Sequence, residues 1–249
     1  LGMAVYGSLV TFWPWNKALS FNNYNFSEMS TYGWSPFWNS IELASWTALL
    51  GTILIFVGAY SMEKGRAFTP LRRFLQMLSV LPMAVPGMVL GLGYIFFFND
   101  VNNPLNFLYG SMLLLVFNTV IHYYTVGHMT AIAALKQLPA ELEASAASIK
   151  LPQYKLFWKV TLPVCLPAVF DIAAYLFINA LTTTSAVVFL YSTDTIPASV
   201  SVLNMDDAGQ TGSAAAMAVM IMIAAILAKL THLLLDKLFD GSTQAWRKR

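Results

Sequence analysis

Ser213-Ala-Ala-Ala-Met-Ala-Val-Met-Ile-Met-Ile-Ala-Ala-Ile-Leu-Ala-Lys-Leu-Thr-His-Leu-Leu-Leu235 contains one Asp, Glu, Lys or Arg, Lys229. Crossing the hydrocarbon of a bilayer takes roughly 20 mostly apolar residues as a helix, and this run has that length. Working outward, Phe37–Tyr60, Phe74–Phe98, Phe107–Ile132 and Val164–Tyr191 read the same way. Leu1–Trp13 reads as the outer end of a sixth span, cut from a longer polypeptide, because no basic leader or cleavage site accompanies it. The whole chain agrees: 57% of its 249 residues are hydrophobic and 10% are charged. A water-facing domain of this size needs more charge to cover its surface. Each span is expected to be helical, since an unpaired amide in lipid costs several kcal/mol. The expectation is an all-α integral membrane bundle of about six helices, one domain over residues 1–249, with no soluble second domain.

Cationic residues orient it. Breaks at Ser61–Arg73 and Ala133–Pro163, with the C-terminal region, carry Lys64, Arg66, Arg72, Arg73, Lys136, Lys150, Lys155, Lys159, Lys229, Lys237, Arg247, Lys248 and Arg249. Breaks at Pro14–Pro36, Asn99–Asn106 and Ser192–Gly212 carry only Lys17. The positive-inside rule makes the first set cytoplasmic, with a cytoplasmic C-terminus. Trp13, Trp15, Trp34 and Trp38 fall where an interfacial aromatic belt would lie. Asp206-Asp-Ala-Gly209 reads as an exposed acidic loop on the outer side. The single cysteine, Cys165, excludes a disulfide framework or a multi-cysteine metal site. His122 and His128, six apart, fall on different helix faces, so no metal pair is expected there.

The break Leu138-Pro-Ala-Glu-Leu-Glu-Ala-Ser-Ala-Ala-Ser-Ile-Lys-Leu-Pro-Gln-Tyr-Lys-Leu-Phe-Trp-Lys-Val-Thr-Leu-Pro163 is too ordered in pattern for a linker. Pro139 suits a first helical turn. Leu142, Ala146 and Ile149 share one face, and Glu141, Ser145 and Ser148 another. Pro152 stops that helix. Tyr154, Phe157 and Trp158 then alternate with Lys155 and Lys159 in a second amphipathic piece. Two readings stand equal on these grounds: a rigid protrusion that small residues let another protein approach, and an ordinary amphipathic membrane-surface loop.

The segment from Glu141 to Pro163 resembles the EAA loop of permeases in binding-protein-dependent type I ABC importers. It has Glu143-Ala-Ser-Ala146 and then Val160-Thr-Leu-Pro163 at the family's spacing. Leu81-Pro-Met-Ala-Val-Pro-Gly87 and the helix pattern extend the resemblance. Two positions depart: counted back from Pro163 the glutamate is one place early, and Lys150 occupies the glycine position, with Pro152 available to break the helix instead.

The resemblance implies a cytoplasmic coupling helix within residues 136–163, seated on a separate ATPase. It nominates Glu141, Glu143, Ala144, Ser145, Ala146, Ala147, Lys150, Leu162 and Pro163 for that contact. Implied partners are ABC ATPase subunits, a second permease half, an extracytoplasmic (periplasmic) solute-binding protein and the lipid of a bacterial inner membrane, with no nucleic acid. The chain lacks a Gly-x-x-x-x-Gly-Lys-Ser/Thr loop, so ATP and magnesium belong to the partner. No cofactor or metal is expected in this chain. Asn118-Thr-Val-Ile-His-Tyr-Tyr124 and Lys150-Leu-Pro-Gln-Tyr-Lys155 are most similar to 2-aminoethylphosphonate permeases, with iron(III) permeases close relatives.

Polar groups inside spans are costly and usually face a pathway or a neighbouring helix. Asp171, Asn179, Thr182 and Thr183 in the fourth full span, and Asn118 and His122 in the third, are the candidates for the translocation path. Asn179, Thr182 and Thr183 read equally as residues bonded to their own helix. An ion-gradient-driven secondary transporter is the alternative function, but it needs no structured docking loop. An intramembrane enzyme lacks both a Gly-x-Ser-x-Gly and a His-Glu-x-x-His setting.

Overall fold

A computed structural model describes residues 1–65, 69–139, 141, 146 and 148–243, with side chains for all of these but 69 and 238–243. Among them, the helices α1 (Gly2–Leu9), α2 (Phe26–Met29), α3 (Ser35–Lys64), α4 (Thr69–Ala84), α5 (Gly87–Phe98), α6 (Met112–His122) and α7 (Tyr124–Lys136) precede the lysine-rich arm. Then come α8 (Gln153–Val164), α9 (Leu166–Thr182), α10 (Ala198–Asp207) and α11 (Thr211–Thr243). The bundle is helical, apart from one antiparallel hairpin, β1 (Val10–Phe12) with β2 (Asn16–Leu19).

Among the described residues, only Ser35–Lys64 and Thr211–Lys237 are single helices long and apolar enough to cross a membrane. Two further pairs of helices reach that length and apolarity only together and are bent, α4 with α5 by 109° and α8 with α9 by 71°. The uninterrupted spans expected from hydropathy are therefore corrected at three places. Hydropathy counts side chains and is blind to Pro86, which removes an amide donor and pushes Val85 out of helical geometry. Phe107–Ile132 divides into α6 and α7, with Tyr123 as the one non-helical residue between them. Val164–Tyr191 stops being helical after Thr182, where Thr182-Thr183-Thr184-Ser185 offers the backbone side-chain alternatives to a ladder. The expected polar loop Ser192–Gly212 contains α10, and Leu1–Trp13 leaves helix at Leu9 for the hairpin.

Helix α3 is the hub: it packs along α9, α7 and α6. Ile55, Phe56 and Ala59 meet Ala131, Leu135, Ile172 and Leu176 in one fully buried cluster. Leu43, Leu115, Val116, Val187 and Leu190 form a second. A third joins Ala180, Leu181 and Ala198 to Ala216 and Met217. Gly127 lets α7 approach closely: a Cβ there would lie 2.9 Å from Ile55 Cδ1 and 3.3 Å from Ile172 Cγ2.

The outer surface is as apolar as the core. Leu49, Ile53, Leu54 and Val57 of α3, and Ile226, Leu227, Leu230 and Leu234 of α11, all stand exposed. That is the surface lipid requires and water would not tolerate. Of the four belt tryptophans, Trp13, Trp15 and Trp38 are exposed, whereas Trp34 packs edge-on against Phe26 at 4.7 Å.

Candidate functional site

The break between α4 and α5 meets the unwound end of α9 inside the bundle. Gly87 begins α5 and is buried; a Cβ there would lie 2.6 Å from Ser185 Oγ and 3.1 Å from both the Ala186 amide nitrogen and His122 Cε1. Asn118 of α6 is fully buried and donates from Nδ2 to the Ala186 carbonyl at 2.5 Å. Ser199 of α10 donates to the Thr183 carbonyl at 2.5 Å, and Ser40 Oγ accepts the Ala198 amide at 2.8 Å. Asn39 donates to the carbonyls of Asp194 and Ile196. Non-helical backbone at this depth needs such partners, because lipid supplies none. Three side-chain atoms at the junction stay buried without a partner: Asn118 Oδ1, His122 Nδ1 and Thr183 Oγ1.

Of the candidates from the sequence, the structure therefore gathers Asn118, His122 and Thr183 at one place, with Gly87 and Ser185 beside them. Asn179 and Thr182 bond the carbonyls of their own helix, Tyr175 for the first and Ile178 and Asn179 for the second. Asp171 sits at the opposite end of α9, eleven residues before Thr182, or about 16 Å along the axis. There it borders a cavity of about 670 Å³ whose wall includes Thr130, Gln137, Leu138, Cys165 and Ala168. Its carboxylate pairs with His232 of α11 at 3.0 Å. His232 drew no attention in the sequence, although an ionisable residue inside a span is the signal that could have found it.

Glu143, Ala144, Ser145 and Ala147 of the arm lie outside the described residues. Glu141, Ala146 and Ser148 are helical, with Glu141 exposed and Ala146 only 7% exposed. Lys150, two residues after helical Ser148, stands at φ 50°, the left-handed region. The Leu151 amide closes back on the Ala146 carbonyl at 2.9 Å, the six-residue loop of a Schellman cap. The turn expected of a glycine is thus made by Lys150, with Pro152 following. Leu162 and Pro163 lie in the last turn of α8, just before the 71° bend at Cys165. The middle of α8, Phe157–Thr161, is π-helical. Phe157 packs inward on Tyr60 at 4.7 Å, while Tyr154 and Trp158 stay exposed.

A left-handed non-glycine residue costs about 1–2 kcal/mol, part of which glycine would return through its looser unfolded chain. Lys150→Gly is expected to stabilise the arm by about 0.5–1 kcal/mol, seen as slower limited proteolysis between residues 138 and 163. Faster cleavage of the variant would contradict the cap.

Comparison with known proteins follows the same lines. The family described as "binding-protein-dependent transport system inner membrane component" matches residues 51–240. A ferric transport system permease of Actinobacillus pleuropneumoniae is 30% identical over 236 residues, covering 91% of this chain and 33% of that protein. A putative ferric transport system permease of Haemophilus influenzae is 30% identical over 201 residues, covering 78% and 30%. The chain spans about a third of the length of these curated relatives. Among solved structures, a chain of a bacterial ABC transporter that imports alginate superposes with a TM-score of 0.72 at 16% identity, covering 97% of this chain and 89% of that one. A chain of the MetNI methionine ABC transporter gives 0.67 at 14%, covering 82% and 94%. These likenesses place the fold among ABC importer permeases.

Proposed function

Because the chain belongs to the family of inner membrane components of binding-protein-dependent transport systems, we propose that it forms the translocation path of an ABC importer and is driven by a separate ATPase. The observation that carries this reading is the family match across the arm and the broken spans together. Residues 136–163 are the coupling segment, with Glu141, Glu143, Ala144, Ser145, Ala146, Ala147, Lys150, Leu162 and Pro163 at or beside the ATPase contact. ATP and magnesium are held by that ATPase. The arm and the C-terminus face the cytoplasm, on the side where lysine and arginine collect. A second permease half and an extracytoplasmic binding protein complete the assembly.

The path runs past the junction of Gly87, Asn118, His122, Thr183 and Ser185. Unpartnered polar atoms at a break between helices are groups that a passing solute or water can satisfy. Asp171, Asn179 and Thr182 extend the path along α9. Of the two solutes, iron(III) has the stronger support, from relatives described as ferric permeases; 2-aminoethylphosphonate rests on the two short segments around Asn118 and Lys150.

The full-length protein, reconstituted in liposomes with its ATPase and binding protein, tests both levels. Labelled iron(III) is expected to accumulate only with ATP, and excess 2-aminoethylphosphonate should leave that uptake unchanged. Competition by the phosphonate would transfer the solute assignment. Uptake that survives without ATP and collapses with an ionophore would favour a secondary transporter.

A further inference from the structure

The unwound stretch after α9 is unevenly satisfied. Its carbonyls are taken: Thr183 by Ser199 Oγ, Thr184 by the Val187 and Val188 amides, and Ala186 by Asn118 Nδ2. Its donors are not. The amides of Thr184, Ser185 and Ala186 find no hydrogen-bond acceptor among the described residues. Thr183, 3% exposed, leaves Oγ1 without a partner as well. A donor left unpaired at this depth costs free energy that a bound acceptor returns.

The start of α5 stands against this stretch. A Cβ on Gly87 would lie 2.6 Å from Ser185 Oγ and 3.1 Å from the Ala186 nitrogen, so the two backbones meet with no side chain between them. α5 runs twelve residues, Gly87–Phe98, and its own carbonyls cannot serve the Gly87 and Met88 amides. A helix end of this kind carries partial positive charge. The groups gathered at the junction include no acid. Asn118 Oδ1 is an obligate acceptor left without a partner, and His122 Nδ1 donates or accepts according to its tautomer. Donors outnumber acceptors.

Resting on the reading of this junction as the translocation path, we propose that it is an oxyanion site. The solute crosses with a phosphonate, phosphate or carboxylate group held by the amides of Thr184, Ser185 and Ala186, the start of α5 and the hydroxyls of Thr183 and Ser185. Helix starts and successive free amides are binders of such groups, and breaks in membrane helices present them to anionic solutes. A bare trivalent cation meets no counter-charge here, and stripping it of water costs far more than neutral groups return. Iron(III) therefore crosses bound to an oxyanion ligand, whereas a phosphonate solute brings the group itself. The chemistry at the junction is the same in both cases.

The test uses the full-length protein in a neutral detergent, its native cysteines replaced and one thiol introduced by Ser185→Cys, a partly exposed position. Its rate of modification by an anionic alkyl methanethiosulfonate is compared with that by a cationic one of the same size, and 2-mercaptoethanol in the same buffer gives the intrinsic ratio. Relative to that ratio, the anionic reagent is expected to be favoured about tenfold at position 185. Sodium methylphosphonate should slow the reaction, and tetramethylammonium chloride at equal ionic strength should not. Slowing by 2-aminoethylphosphonate at lower concentration than by methylphosphonate assigns a phosphonate solute. Slowing by iron(III) citrate at lower concentration than by citrate assigns an iron complex. Should Ser185→Cys fail to fold, Thr184→Cys, also partly exposed, takes its place. Equal or cation-favouring rates, or no slowing by any oxyanion, overturn the oxyanion site, while ATP-dependent uptake would still uphold the path. A thiol that reacts with neither reagent overturns both.

Discussion

Gly127→Leu is expected to destabilise the folded bundle by about 3 kcal/mol. A Cβ at this position already falls 2.9 Å from Ile55 Cδ1, closer than carbon atoms can stand, and Ile172 Cγ2 follows at 3.3 Å. Neither neighbour can retreat: Ile55 is 0% exposed and Ile172 1%, and both lie on α3 and α9, which pack against each other. A leucine must separate α7 from the hub or force several side chains off their rotamers. Overpacking of this kind costs about 1–3 kcal/mol, and more where three helices meet. A loss of about 3 kcal/mol is a large part of the stability of a typical domain. Size-exclusion profiles and thermal scans of the full-length protein should show aggregation, with Gly127→Ala intermediate. A leucine variant that elutes and melts like the parent would refute the close crossing.

On the proposed coupling role, Ile149→Arg is expected to sever the protein from the ATPase while leaving it folded. Ile149 is 73% exposed, one residue before the left-handed turn at Lys150. If the proposed ATPase contact holds, this exposed apolar side chain is the natural anchor for the partner's pocket. Anchors of that kind contribute about 2 kcal/mol or more, roughly thirty-fold in affinity, and a charge forced into the same pocket adds its desolvation cost. Co-purification of the ATPase should fall accordingly, and ATP-dependent uptake with it, at an unchanged melting temperature. Ala146 is the poorer probe, because its burial within the chain means an arginine there would distort the arm itself. Retained ATPase binding by Ile149→Arg would remove residues 141–150 from the contact.

The candidate site was legible only in part. Asn118, His122 and Thr183 stood out as polar residues in apolar runs, and the structure does bring them together. Asn118 reaches the Ala186 carbonyl and His122 the Gly87 break, 68 residues on from Asn118 and 31 back from it in sequence, and no local pattern encodes such a pairing. Asn179 and Thr182 looked identical to Thr183 in composition. They differ because the helix continues through Thr182 and supplies them carbonyls, whereas Thr183 is already outside it. Asp171 was visible as an isolated acid, but its partner lies sixty-one residues away on another helix.

By itself the sequence determined that the chain is apolar enough for lipid, where the long apolar helices α3 and α11 lie, and that a lysine-rich segment lies between α7 and α8. Those properties follow from side-chain hydropathy, charge and proline placement, each a local quantity. Only the tertiary structure decided which apolar runs are single helices and which are bent at Pro86 or Cys165, and where the unwound stretch after Thr182 finds its hydrogen bonds. A backbone amide inside a membrane must be paired, and whether a distant Asn118, Ser199 or Asn39 arrives to pair it depends on how the helices pack.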